Sequence, residues 1–427
     1  MKSSLSNFGN KFTQANGITQ LMEDLGKANS SDNPNIVMLG GGNPALIPEA
    51  NDIFVQELQE LISSSKVDQM IGLYDGPQGN DAFREALSQK LNDEYAWGLT
   101  ANNISLSNGS QANFFSLFNM FAGEMPDGSK KKILFPLAPE YVGYADQGLS
   151  PDMFVSLKPE IELIETTTNS KQFKYIIDFD AVKTLLAEDK DIGALCVSRP
   201  TNPTGNVITD DELNNLDILT KQYDIPLIID NAYGQPFPGC IYTDVRLTWN
   251  SNIILCMSLS KLGLPGLRTG IAIANEEITH ALGRINGSMI LAPNSVGPTL
   301  MTRLIREKKL LKLCRNVIEP FYRDKAKTAV KVFNETFADC FDKTPVYLHK
   351  LEGAFFMWLW FKDSKINSKE LYERLKVEDI YVIPGHNFFI NIDDSWEHKH
   401  QCIRINYAKD EAILRKGLEA IKRIINE

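Results

Sequence analysis

The chain has 427 residues, 43% of them hydrophobic and 23% charged. That length is more than one hydrophobic core serves well, and that balance excludes a disordered or membrane-embedded chain, so two core-bearing regions of a soluble globular protein are expected. Lys+Arg of 44 against Asp+Glu of 54 leaves a net charge of −10, which disfavours a polyanion such as nucleic acid as the main partner.

Six cysteines, Cys196, Cys240, Cys256, Cys314, Cys340 and Cys402, are scattered without a CxxC pair, so neither a zinc site nor a disulfide framework is indicated and no metal is expected. The opening MKSSLSNFGNKFTQ lacks the basic-then-apolar pattern of a signal peptide, and no apolar run reaches about eighteen residues. Cytoplasmic residence and no membrane contact are the expectation.

In chain order, the first sixty residues hold LGGGNPALIP and no core of their own, and are expected to pack with the C-terminal part. From about residue 80 to 275, helical patterns alternate with short Val/Ile/Leu runs, the signature of a mostly parallel sheet between helices. A helix is predicted from Asp81 to Tyr95 and another opens at Thr209, where Thr-x-x-Glu through Glu212 reads as a capping box. Strands are predicted at Ile104–Leu106, Lys132–Phe135, Phe154–Leu157, Ala194–Val197, Leu227–Ile229, Ile253–Met257 and Thr269–Ile273, their continuous apolarity implying burial on both faces. After about residue 297 come basic amphipathic helices, then strand-like runs at Val346–His349, Phe355–Phe361 and Gln401–Tyr407 and a last helix from Asp410. The expected division is a large domain over 61–310 and a small α+β domain formed by 1–60 with 311–427. No internal repeat is present.

Four stretches carry candidate chemistry. LSNGSQANFF is a strand-to-helix junction whose Gly109, Ser110 and Gln111 offer backbone N–H groups to a phosphate, although such junctions are frequent. In SRPTNPTGNVI, a rigid Pro-Thr-Gly turn fixes Asn202, whose amide can donate to a phenolate; as a turn alone it is unremarkable. LIIDNAYG delivers Asp230 to the carboxyl end of a strand, where open α/β sheets bind ligands, and Tyr233 follows; a helix-capping aspartate is the plain alternative. In CMSLSKLGLPGLRTG, Lys261 and Arg268 place two cations on a glycine-containing loop suited to a phosphate ester, against the plain reading of a surface lysine.

Taken together, these elements resemble the class I/II aminotransferases, fold-type-I enzymes dependent on pyridoxal 5′-phosphate (PLP). The resemblance implies an α/β fold in which a large domain with a mostly parallel sheet between helices joins a smaller α+β domain. It implies that Lys261 binds PLP as an imine and then serves as catalytic base, and that Asp230 keeps the pyridine nitrogen protonated. Asn202 and Tyr233 would contact the phenolic oxygen, and Ser110, Gln111, Ser258 and Arg268 would hold the phosphate. Tyr141 in LAPEYVGY matches the aromatic stacked on the ring. Tyr74 in YDGPQG matches a tyrosine reaching the phosphate in the neighbouring subunit, which implies a homodimer. Arg404 in CIRINYA matches the arginine that grips the substrate carboxylate, with Asn202 and the Gly42 backbone of LGGGNP beside the substrate.

Further stretches narrow the resemblance within the family: FGNKFTQANGITQLMEDL, MLGGGNP, LFPLAPEYVGYADQGL, NAYGQPFPG, EGAFFMWLWFKD and VIPGHNFF. They imply amino-group exchange between small neutral amino acids and 2-oxo acids, with L-valine and pyruvate as the expected pair. Another donor (alanine, branched-chain or aromatic), a β-lyase on the same fold and a PLP-sensing binding module are the alternatives. His398 and His400 in SWEHKHQ have metal-ligand spacing but no accompanying acidic or cysteine cluster, so a solvated loop is expected there. The basic residues from Arg306 to Lys312 read as a solvated face and FFMWLWF as a buried strand.

Overall fold

The structure is a computed structural model describing residues 4–13, 23–27, 33, 35–164, 171–339 and 345–427. One sheet has eight strands, in the order Ile104–Ser107, Gly270–Ile273, Ile253–Ser258, Leu227–Asp230, Ile192–Ser198, Lys130–Phe135 and Gly123–Glu124, with Phe154–Ser156 also paired to Lys130–Phe135. The run from Ile253–Ser258 through to Phe154–Ser156 is parallel. Ile192–Ser198 and Ile253–Ser258 are buried at every position, as a sheet covered on both faces requires.

Gly270–Ile273 departs from this pattern, being antiparallel to both of its neighbours. The reversal has a consequence for chemistry. Ser107, Phe135, Ser198, Asp230 and Ser258 close their strands at one edge of the sheet, and the reversed strand starts there, so Arg268 reaches the same edge from the other direction.

Local sequence explains the helices around this sheet. Asp81–Tyr95 begins where Asn80 Oδ1 accepts from the Phe83 N–H at 3.0 Å, a cap worth about 1 kcal/mol. It buries Phe83, Leu87 and Leu91 at four-residue spacing and ends on Ala96 in the left-handed region (φ 57°). The capping box at Thr209 is formed in both directions, with the Glu212 N–H donating to Thr209 Oγ1 at 3.1 Å and the Thr209 N–H to Glu212 Oε2 at 2.7 Å.

A second sheet of six strands runs Ile383–Pro384, Cys402–Asn406, Phe356–Phe361, Val346–His349, Gln172–Ile176 and Glu160–Ile164. Its last two strands come from the middle of the chain and were not read in the sequence. The early residues divide between neighbours. Val37–Met38 pairs in parallel with Ile380–Tyr381, whereas the helix Pro48–Ile62 lies against Val296–Arg306, with Glu57 ion-paired to Lys309 at 2.9 Å. The side chains of Arg306, Lys308, Lys309 and Lys312 face solvent while Leu310 and Leu311 are buried.

One expectation is overturned. SWEHKHQ is not a solvated loop at His398, which is only 6% exposed. Phe173, Trp360 and Phe389 surround its ring, its Nε2 lies 2.5 Å from the Tyr175 hydroxyl, and burial pushes its pKa down to about 3. A histidine enclosed by aromatic side chains and paired with a phenol is a core residue. Cys196, Cys240, Cys256, Cys314 and Cys402 are free and buried. Cys340 and residues 14–22 of FGNKFTQANGITQLMEDL lie outside the described residues. Among the described residues no helix is long and apolar enough to cross a membrane.

Candidate active site

The edge where the strands end opens into a cavity lined by Ser110, Gln111, Tyr141, Asn202, Asp230, Tyr233, Ser258, Lys261 and Arg268, together with Ser198, Pro200, Ala232 and Ser260. They arrive in groups from several strand ends and the loops that adjoin them, so residues far apart in sequence converge on one cavity.

Asp230 ends its strand with both carboxylate oxygens engaged. Oδ2 accepts from the Tyr144 hydroxyl at 2.5 Å and Oδ1 from the Ala232 N–H at 2.9 Å. Burial raises its pKa, while those two hydrogen bonds and the Lys261 charge pull it back. Lys261 Nζ lies over the Tyr233 ring at 5.3 Å and donates to Gly42 O at 3.0 Å. Burial brings its pKa down to about 8, with the Arg404 and Arg268 charges acting in the same sense and Asp230 opposing them. An amine in that range is available as a base near neutrality.

At one end of the cavity, the helix Ser110–Phe121 presents its N-terminus behind Gly109, whose φ of 97° suits only glycine. A Cβ there would meet Arg268 Nη2 at 2.0 Å, so the missing side chain is what admits the guanidinium. Helix N–H groups, Arg268 and Ser258 together make an anion seat. Gln111 turns its amide outward, donating to Gly143 O at 3.1 Å.

Behind Asn202 stands Arg404, 3% exposed, with Nη1 donating to Asn202 Oδ1 and Nη2 to Gly40 O, each at 2.7 Å. The Phe356 and Phe388 rings flank it at 4.2 and 5.2 Å. Its Nε has no hydrogen-bond partner among the described residues, which leaves a buried donor for an incoming carboxylate. Burial lowers its pKa to about 10, so it stays charged at neutral pH.

Tyr74 is not in this cavity. It is 83% exposed and lines a separate hollow with Asp75, Ser295 and Arg303. Sequence reading also passed over three residues here: Tyr144 on Asp230, Glu140 on Ser198, and Asn406 beside Arg404. Asn406 carried a signal, since it stands two residues after Arg404 in a strand and so shares its face. Glu140 and Tyr144 sit beside Tyr141 in LAPEYVGY, but their partners lie far away in sequence.

An α/β sheet whose strand ends gather a lysine, a buried aspartate and an anion seat, with a buried arginine brought beside them by a strand of the second sheet, defines a class of enzyme, and the chain belongs to the class I and II aminotransferases, whose family model matches residues 35–421. Among its relatives, the valine–pyruvate aminotransferase of Escherichia coli K12 is 49% identical over 97% of this chain and 96% of that protein. The crystal structure of valine–pyruvate aminotransferase from Salmonella typhimurium LT2 superposes with a TM-score of 0.86 at 46% identity, covering 96% of this chain and 98% of that one. A crystal structure from Psychrobacter arcticum 273-4 superposes with a TM-score of 0.95 at 44% identity, covering 99% and 98%.

PLP is the cofactor of this family, and the residues present fit it. Beyond the lysine and the anion seat, the buried Tyr233 hydroxyl has no hydrogen-bond partner among the described residues and thus suits an acceptor oxygen on a bound ring.

Proposed function

We propose that the chain exchanges an amino group between small neutral amino acids and 2-oxo acids, with L-valine and pyruvate giving 3-methyl-2-oxobutanoate and L-alanine. The observation that carries this reading is Arg404, buried between two phenylalanine rings with an unused Nε donor and hydrogen-bonded to Asn202, which lines the same cavity as Lys261. The valine–pyruvate pairing draws its support from the 49% identity to the E. coli enzyme of that name.

In this reading Ser110, Gln111, Ser258 and Arg268 hold the phosphate, Tyr141 stacks on the ring, and Asn202 and Tyr233 address its phenolic oxygen. Bound PLP supplies an electron sink for the pair left behind when a substrate Cα loses its proton. Asp230 keeps a proton on the pyridine nitrogen. Arg404 binds the substrate carboxylate as a fork, with Asn202 and the Gly42 backbone beside it, so the Cα–H bond faces Lys261. Lys261 Nζ, its pKa lowered by burial, would take the proton from the substrate Cα. Tyr233, in the cavity wall, is backed by the buried rings of Phe355 and Phe356; in an apolar site one methylene is worth only about 1–3 kcal/mol, so cross-reaction among small amino acids follows.

The same reading makes the enzyme a cytoplasmic homodimer in which Tyr74 reaches the neighbouring site. Ile71, Leu73 and Tyr74, exposed at 73, 67 and 83%, form an apolar run that a second copy would cover. It divides the chain into a large domain over 61–310 and a small one from 1–60 and 311–427, with the strands Glu160–Ile164 and Gln172–Ile176 crossing into the second sheet and the helix Pro48–Ile62 lying against Val296–Arg306 of the large domain.

The test is to add L-valine, L-alanine and L-aspartate one at a time to the PLP-loaded enzyme, following the cofactor's visible band and assaying the 2-oxo acid formed. Valine and alanine should discharge the band with one equivalent of 2-oxo acid, aspartate should not at the same concentration, and Lys261→Ala should abolish the response. Ammonia released from β-substituted amino acids, with no 2-oxo acid from valine, would assign a lyase instead.

A further inference from the structure

Three successive glycine carbonyls, Gly40, Gly41 and Gly42, are each held by a different side chain. Arg404 Nη2 donates to Gly40 O at 2.7 Å, Asn406 Nδ2 to Gly41 O at 2.7 Å and Lys261 Nζ to Gly42 O at 3.0 Å. The segment is thus a strap laid across both cationic groups. Of the three contacts, that of Lys261 comes from the group read as the base and that of Arg404 from the side chain read as carboxylate anchor, whereas the Asn406 contact is made by a side chain with neither role.

Asn406 is built to hold the strap. It is 1% exposed, and its Nδ2 also reaches Asn43 O at 3.3 Å, so both amide protons are spent on the strap. Its Oδ1 is occupied by the Ala408 N–H at 2.8 Å, which fixes the orientation of the carboxamide, and its own backbone N–H donates to Leu39 O at 2.7 Å. Arg404 and Asn406 project from the same face of the Cys402–Asn406 strand, so the carboxylate anchor and the strap's anchor share one rigid support. An aspartate here would set a carboxylate against two carbonyl oxygens, and an alanine would leave both without a donor.

We propose that Asn406 is a positioning residue for the amino-acid substrate: its carboxamide holds the Gly40–Asn43 strap at the height that lets Arg404 and Lys261 address the carboxylate and the Cα–H of one small substrate. Asn406 touches neither substrate nor cofactor and acts through the strap. The inference rests on the reading of Arg404 as carboxylate anchor.

The experiment compares PLP-loaded wild type, Asn406→Ala, Asn406→Ser and Arg404→Lys in steady-state kinetics with L-valine and pyruvate, alongside PLP titration by absorbance and thermal melting. Asn406→Ala should raise KM for both substrates about tenfold, since both use the carboxylate end, with kcat within about threefold and PLP affinity unchanged. Asn406→Ser, which keeps one donor, should fall between. Arg404→Lys should raise KM about a hundredfold as the fork is lost. If Arg404→Lys raises KM and the Asn406 variants leave it alone, the proposal is wrong and the anchor stands. If Arg404→Lys also leaves KM alone, the anchor reading fails and takes the proposal with it. Loss of PLP affinity or kcat at unchanged KM, or failure of both Asn406 variants to fold, assigns Asn406 to the framework and overturns the proposal.

Discussion

Tyr144 donates its phenolic hydrogen to Asp230 Oδ2 at 2.5 Å, while the Phe135 ring stacks on the tyrosine at a centroid distance of 5.6 Å and fixes where that hydroxyl points. The contact lowers a carboxyl pKa that burial raises, and so favours the ionised form that a protonated ring nitrogen needs. Tyr144→Phe should therefore weaken PLP binding by about tenfold, the worth of one hydrogen bond to a charged group, and reduce kcat in parallel. Absorbance titration of the cofactor-free variant checks the first and single-turnover kinetics the second; unchanged values for both would remove Tyr144 from the chemistry.

Lys261 sets a pH dependence of its own. Its ordinary pKa of 10.5 applies to the unfolded chain and about 8 to the folded, cofactor-free chain. Between those values the unfolded state holds a proton that the folded state lacks, so this group adds stability as pH rises from about 8 to 10.5 and withdraws it as pH falls through 8. Only the neutral amine captures PLP covalently. The capture rate should rise with a midpoint near pH 8, and stopped-flow absorbance across pH 6 to 10, on the order of two units either side, reads it directly. A midpoint near the ordinary lysine value would show that the burial has no such effect.

The main sheet was legible because its strands are buried on both faces and so read as unbroken apolar runs. Asp230, Asn202 and Lys261 were legible because strand ends in such a sheet are where ligands bind. What escaped depends on contacts distant in sequence. Nothing in Gly270–Ile273 announces that it runs against its neighbours, and the strands Glu160–Ile164 and Gln172–Ile176 give no local sign of joining a sheet built from residues 346–406. His398 looked solvated because its neighbours in sequence are polar, whereas Tyr175 and Trp360, which enclose it, come from other strands. Glu140 and Tyr144 were hidden for the same reason.

Two glycines near the site should behave in opposite ways. At Gly109, φ of 97° and a Cβ contact of 2.0 Å with Arg268 make alanine strained and obstructive. Gly109→Ala should cost about 1–3 kcal/mol of stability and displace the guanidinium, with PLP affinity falling by more than the melting temperature would suggest. At Gly42 a Cβ meets no atom of the described residues within 4 Å. Gly42→Ala should leave melting and PLP affinity unchanged and raise KM for valine, since the added methyl enters space beside the substrate. Melting curves and cofactor titration on both variants separate the two cases, and equal loss of PLP by both would refute the distinction.

Glu140 gives the sharpest prediction on stability. Its carboxylate meets the Ser198 hydroxyl at 2.5 Å and the Ser198 N–H at 2.9 Å in a fully buried position. Burial pushes its pKa from 4.5 up to about 8; the Ser198 contacts oppose the rise and the nearby Asp230 charge adds to it. The folded chain then keeps a proton that the unfolded chain gives up above pH 4.5, so stability from this group is complete below 4.5 and declines as pH climbs toward 8. Glu140→Gln is neutral at every pH and keeps an oxygen for the Ser198 N–H. The variant's gain in melting temperature over wild type should therefore grow between pH 4.5 and about 8 and level off above it. A difference that stays flat across that window would mean that Glu140 is ionised in the folded protein, with two negative carboxylates tolerated side by side.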